Sequence, residues 1–399
     1  MIRSRALRGL LFASWSILGA ALILALVEGA LRRTDLGAPA EPGAPAWMDA
    51  EMLAVSRKWS DRLGVDRSDF EDLQGWRMHP TRRWSLEPDL EIEARNIFVR
   101  RRGGEVGRWT LRTNSQGFRT PEFAPKAAPG TFRVVTVGDS NTMGWLLDDA
   151  DAYPRRLEAH LAALLGVPVE VVNLGVSGYT TESCRQLATT LALALAPDAL
   201  VISCGANDTQ QLASSDAEYA RNFGGRLGGV RTAVAGTRLA TLASRRATQA
   251  PQRARVSMPE FERNLEAMFR GAHERDIPVV FFRVCCCAPA YGPLLGEIAE
   301  RHGIPVVHSA PEIRRALARG GLDAPRMAAL ASIESWYTPH ELRSSPSLRY
   351  TFRDGCHLNA LGADLGAEAL AGALALEIQR MRSAAHAPPK PADPTPTPH

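Results

Sequence analysis

The chain has 399 residues, 45% of them apolar, and a formal net charge of +4 at pH 7. That length and apolar content suffice for a large buried core, which excludes a wholly disordered or fibrous chain. The charge is small for the length and no nucleic-acid motif accompanies it, so no nucleic-acid partner is expected.

The first element is apolar. Arg3, Arg5 and Arg8 precede an uncharged run from Gly9 to Val27. The run is long enough to cross a bilayer, and arginines on its N-terminal side favour a cytoplasmic N-terminus. The sequence therefore predicts residues 1–8 in the cytoplasm, a single transmembrane helix over 9–30, and everything beyond it exported. A cleaved signal peptide and a buried soluble helix are the alternatives. The length of the run and the lack of a small-x-small site directly after it favour the uncleaved anchor.

Residues 31–46 are rich in Ala, Pro and Gly and read as a linker leaving the membrane. Residues 47–130 carry mixed charge, several tryptophans and strand-like runs such as Asn96–Val99 and Trp109–Arg112. They read as an N-terminal extension packed on the main domain. From 131 to 382 strand and helix signals alternate. Val134–Val137, Val169–Val172, Leu200–Ser203, Val279–Val284 and Pro305–His308 are short apolar runs. Helical patterns lie between them over Tyr153–Leu165, Thr181–Leu195, Met258–Arg275 and Gly292–Arg301, and a last one covers Leu361–Met381. Such alternation predicts a parallel sheet with helices on both faces. One stretch, about 219–259, has no acidic residue but holds eight arginines, among them Arg226, Arg238 and Arg253. It reads as a solvated helical insertion, as a basic amphipathic lid near anionic headgroups, or as a site for an acidic polymer. The Pro-rich tail over 383–399 is expected to be disordered.

Four short blocks carry chemistry. They are Val137-Gly-Asp-Ser-Asn-Thr-Met-Gly144, Asn173-Leu-Gly-Val-Ser-Gly-Tyr-Thr180, Cys204-Gly-Ala-Asn-Asp208 and Asp354-Gly-Cys-His-Leu-Asn359. Ser140 follows a strand and opens a helix, which turns its hydroxyl toward the carboxyl ends of the strands, where ligands gather in parallel sheets. His357 is the candidate general base. Asp354, three residues earlier, is within one turn of it and is the candidate orienting acid. The Ser140 N–H, the Gly178 N–H and the Asn207 side-chain amide are candidate oxyanion donors, each worth on the order of 3 kcal/mol in a transition state. Alone, each has a bland counterpart: a helix cap for Ser140, a turn glycine for Gly178, Asx turns for Asn207 and Asp354. Together and in this order they form a serine acyl-transfer set.

The blocks resemble those of the SGNH (GDSL-type) hydrolase superfamily. Gly138-Asp139-Ser140, Gly178, Gly205-Ala-Asn207-Asp208 and Asp354-x-x-His357 match its four motifs, and the resemblance covers 131–382. Asn114-Ser-Gln-Gly-Phe-Arg119 also resembles the entry segment of membrane-anchored bacterial members. The resemblance implies a flavodoxin-like three-layer α/β/α sandwich that cleaves or transfers acyl groups without a metal or cofactor. Three departures stand out: Asn141 where an apolar residue is common, Leu358 where proline is common, and Cys204 and Cys356 beside two of the blocks.

The six cysteines, Cys184, Cys204, Cys285, Cys286, Cys287 and Cys356, fit no metal or haem spacing. In an exported domain they are free to form disulfides; otherwise they read as small buried apolar residues. The expected function is a serine esterase working through Ser140, His357, Asp354 and an acyl-enzyme. It would deacetylate or transacetylate an envelope or extracellular glycan. A lipid-directed, lysophospholipase-like esterase is one alternative, and a non-catalytic envelope assembly protein is another. The expected partners are an acyl ester and the membrane. Oligomeric state is not legible.

Overall fold

Every residue of Phe132–Gly138 is buried, and the run is mostly β-branched. A strand buried on both faces must lie inside a covered sheet. In the computed structural model, which describes residues 19, 21–34, 75–100, 106–225, 237, 253–284 and 291–385, it is central to a parallel sheet. The strands are β1 (Phe132–Gly138), β2 (Val169–Asn173), β3 (Ala199–Ser203), β4 (Val279–Arg283) and β5 (Val306–His308), in the order β5–β4–β3–β1–β2. All four pairings are parallel. The register sets Gly138 beside Ser203 and Thr136 beside Asn173. This is the flavodoxin-like strand order, so the expectation of a covered parallel sheet is met. Val134, Val135, Leu200, Val201 and Ile202 are wholly buried in it. Each contributes on the order of 1.5–3 kcal/mol through burial.

The helices fall into two packed groups. Tyr153–Leu165 packs on the final helix, Ala360–Ala385, which also packs on Ser309–Arg319. Thr181–Leu187 packs on Met258–His273, which also packs on Tyr291–Arg301. Tyr153–Leu165 shows why these runs are helical. Pro154 stands in its first turn, Tyr153, Leu157 and Leu161 line one buried face, and left-handed Gly166 ends it. The helix expected over Thr181–Leu195 is α-helical only to Leu187. A π turn over Ala188–Ala192 and a 3-10 turn over Leu193–Leu195 follow. A run without Gly or Pro gives no sign of that change.

The chain divides into two compact units. One comprises Arg100–Glu105, Phe118–Asn207 and Met258–His399, and holds the sheet. The other comprises Met1–Val99, Val106–Gly117 and Asp208–Ser257. In the latter, Trp76–His79 pairs antiparallel with Arg83–Leu86, Glu91–Arg100 pairs with Val106–Arg112, and Gln211–Leu212 pairs antiparallel with Arg253–Ala254. Its helix Asp216–Phe223 opens with a reciprocal Ser215–Glu218 cap. Asp216 and Arg255 are buried there together with Arg83.

No helix among the described residues is long and apolar enough to cross a membrane. The span expected over 9–30 is described only at residue 19 and from 21 onward, where a helix runs to 31. Most of the basic insertion, 226–236 and 238–252, and the tail from 386 lie outside the described residues.

Candidate active site

The strand order reverses between β1 and β3, which opens a crevice at their carboxyl ends. Ser140 leaves β1 there and Asn207 leaves β3. Gly138 permits the exit: a Cβ on it would lie 2.4 Å from the Ser203 carbonyl oxygen. Asp139 then caps the short helix Ser140–Met143, its carboxylate accepting the Asn141 N–H at 3.0 Å. Asp139 is buried and Ser140 half-buried.

His357 arrives on a loop built by its own backbone. Thr351 bridges Leu358, the Phe352 N–H donates to the His357 carbonyl at 2.8 Å, and the Asn359 N–H donates to the Tyr350 carbonyl at 3.1 Å. The Asp354 carboxylate organises the turn between. Its Oδ1 accepts the N–H groups of Cys356 and His357, both at 3.0 Å, and its Oδ2 bonds Nδ1 of His357. On the other side of the ring, Nε2 lies 2.7 Å from the Ser140 hydroxyl. Ser140, His357 and Asp354, expected together from the sequence, thus form one continuous chain of contacts.

Charge fixes the sense of that chain. Burial alone would raise the Asp354 carboxyl, but the adjacent imidazole and the two amides outweigh it and hold the group below its ordinary range. An ionised Asp354 only accepts, so Nδ1 of a neutral His357 must donate to it. Nε2 is then left to accept from Ser140. Asp139 goes the other way: burial pushes its carboxyl up to about 6, against the opposing Asn141 amide and the nearby His357 imidazole.

Of the oxyanion candidates, the Ser140 N–H sits in the first turn of its helix, where backbone donors have no partner within the helix. Asn207 donates from Nδ2 to the Tyr179 carbonyl at 3.0 Å, which ties the third block to the residue after Gly178. Gly178 is left-handed, with φ of 76°.

Several contributors were not legible as such. Three of the residues that depart from the family pattern, Asn141, Leu358 and Cys356, meet at Asn141. Asn141 Oδ1 accepts the Leu358 N–H at 3.2 Å, and its Nδ2 lies 3.9 Å from Cys356 Sγ. Cys356 is disulfide-bonded, Cys184 and Cys204 are buried thiols outside any disulfide, and Cys285, Cys286 and Cys287 lie outside the described residues. Trp145 packs against the His357 ring. Its nearness to Ser140 in the chain was the available signal. Among the described residues no cluster of three His, Cys, Asp or Glu side chains is placed to hold a metal.

With this geometry in hand, comparison with known proteins gives the class. The profile of the GDSL-like lipase/acylhydrolase family matches residues 136–365, more than half of the chain. The chain belongs to that family, and it is a hydrolase of ester bonds of the SGNH type. Solved structures similar to it include the lipase/acylhydrolase from Enterococcus faecalis, 16% identical, covering 65% of this chain and 100% of that one, with a TM-score of 0.35. An alpha/beta hydrolase from the metagenome of Lake Arreo, Spain, is 19% identical, covering 62% and 96%, with a TM-score of 0.37. The SGNH-hydrolase family esterase AlinE4 is 19% identical, covering 45% and 77%, with a TM-score of 0.29. A comparison with curated proteins gives no match.

Proposed function

We propose that this ester hydrolase works through Ser140, His357 and Asp354 and a covalent acyl-enzyme, and that its substrates are acetyl esters of envelope or extracellular glycans. The catalytic part rests on one observation: Ser140 Oγ and His357 Nε2 lie 2.7 Å apart while Asp354 holds the opposite nitrogen. As Oγ bonds the acyl carbon, its proton passes to Nε2 and the carbonyl π pair moves onto oxygen. The N–H groups of Ser140 and Gly178 and the Asn207 amide stabilise that oxyanion. Collapse expels the sugar oxygen, which takes the proton from Nε2. Water then repeats the sequence and frees Ser140 with the carboxylic acid. A sugar hydroxyl in place of water would make the enzyme a transferase.

The test is Ser140→Ala with an aryl acetate and a serine-directed phosphonate. Turnover should fall roughly 10⁴-fold or more and labelling should vanish, with the thermal midpoint unchanged. Retention of a few per cent of activity would end the assignment. The glycan part rests on Arg3, Arg5 and Arg8 ahead of Gly9–Val27, which favours an anchored enzyme facing the envelope. Protease added to spheroplasts should then remove residues 131–382. Protection until the membrane is broken would reverse the topology and withdraw the substrate class with it.

A further inference from the structure

Trp145 stands five residues after Ser140. Its indole meets the His357 imidazole at a steep angle, with ring centroids 4.6 Å apart and planes at 66°. The chain around it is unusual. Gly144 before it and Leu146 after it are both left-handed, with φ of 83° and 68°. Gly144 has no alternative, since a Cβ there would lie 2.5 Å from the Ala152 Cβ. Leu146 is a bulky residue in a costly conformation, which persists only where its surroundings over-determine it.

Arg119 supplies much of that determination. It is 5% exposed. Its Nη1 donates to the carbonyls of Met143, at 3.3 Å, and Gly144; its Nη2 donates to the Leu147 carbonyl; its Nε pairs with Asp149 at 2.6 Å. One buried guanidinium therefore locks three carbonyls of a single turn. The direction of Trp145 is what that turn fixes.

His357 has a use for it. Its two nitrogen contacts lie at opposite ends of the ring and restrain tilting about the line between them only weakly. Asn141 holds the neighbouring backbone at Leu358 but does not touch the ring tilt. We propose that Trp145, presented by the Gly144–Leu146 turn under Arg119, is a positioning residue that fixes the tilt of the His357 imidazole and keeps Nε2 aligned with Ser140 Oγ. This rests on the reading of His357 as the base.

The full-length chain is assayed with p-nitrophenyl acetate, and the low-field proton of the Asp354–His357 bond is followed by NMR. Trp145→Leu should lower kcat roughly ten- to hundredfold, the cost of sub-ångström misplacement of a catalytic group. KM should stay within about twofold, because no substrate contact is removed. The low-field proton should broaden. Trp145→Phe keeps a ring against the imidazole and should retain most of kcat and a sharp proton. If Trp145→Leu does not fold, Arg119→Lys keeps the indole and a charge for Asp149 but not the guanidinium bonds to the Met143, Gly144 and Leu147 carbonyls, so it loosens the turn and should give the same two losses. A rise in KM at constant kcat would make Trp145 a substrate contact and overturn the proposal. So would an unchanged kcat with an unchanged proton. Ser140→Ala separates the two readings. If it turns over, the serine mechanism fails, and the low-field proton, which needs only Asp354 and His357, still judges Trp145. If it is inert while Trp145→Leu behaves like wild type, only the role of Trp145 falls.

Discussion

Asp354 and Asp216 are both buried carboxylates surrounded by nitrogen donors, one in each compact unit, and burial works against both. Asp216 is held down by Arg255 and Arg83, which both bond it. Its Oδ1 accepts Arg83 Nε at 2.5 Å and Arg255 Nε at 3.2 Å, and its Oδ2 accepts Arg255 Nη2 at 2.8 Å. The leftover donors go to Ser214 and Gln210, and the guanidinium faces are covered by Tyr219 and Trp84. Asp354 is also saturated, but its network runs outward through one imidazole to a half-buried hydroxyl. A depressed buried carboxylate is thus common to a structural knot and to a candidate catalytic relay. What separates them is whether the network ends in a group with unused reactivity.

The comparison breaks most clearly on Asp354→Asn. The amide oxygen of Asn could still accept the Cys356 and His357 N–H groups, so folding should hold. Its NH2, however, would face Nδ1 and force the proton onto Nε2, the nitrogen needed as acceptor. We expect kcat to fall roughly 10⁴-fold with the thermal midpoint near wild type. A loss under about tenfold would assign the orienting role elsewhere.

Asp216→Asn should do the reverse. Two buried guanidinium groups would lose the carboxylate they share, which costs on the order of 3–5 kcal/mol of folding stability. The kcat of molecules that remain folded should not change. Urea unfolding and active-site titration of the same sample read both quantities; a stability loss below about 1 kcal/mol would mean that the arginines find other compensation. The sign with pH is also fixed. The folded carboxyl lies below its unfolded value, so its contribution is present above that value and fades as pH falls through the folded one. The substitution should flatten that acid loss.

Much of the relay was legible because its parts are local motifs. Ser140 follows a β-branched run and Asp354 sits one turn before His357, so periodicity and short spacing identify them. The strand runs of the central sheet were readable to within two residues at either end, since each is a short apolar run between turn residues. The knot was not legible. Arg83 and Asp216 are 133 residues apart, and nothing in the sequence near either marks it as buried. Helices Ser309–Arg319, Ala324–Glu334 and Pro339–Ser344 were also missed. The middle one buries only Ile333, so its apolar periodicity is faint. Trp145 and Arg119 fall between these cases. Arg119 ends a recognisable motif and Trp145 directly follows another, but their contacts depend on left-handed backbone at Leu146, which no propensity foretells.

The smallest expected effect concerns Asp139, which sharpens the comparison because it is a buried carboxylate with no cation bonded to it among the described residues. Burial is the dominant influence and lifts its carboxyl from 3.8 to about 6. The folded state therefore keeps a proton that the unfolded chain has lost between those two values. Unfolding releases that proton, so stability falls as pH rises through the window and stays lower above it. The difference corresponds to about 3 kcal/mol at neutral pH. Asp139→Asn removes the titration, and its amide oxygen is able to keep the bond from the Asn141 N–H. Relative to wild type, the variant should gain stability steadily from about pH 4 to pH 7 by an amount of that order. Urea unfolding of both proteins across the range measures it. A constant difference would mean that Asp139 binds its proton equally in both states. A difference that shrinks with rising pH would place Asp139 with Asp354 and Asp216, as a third carboxylate held in its charged form.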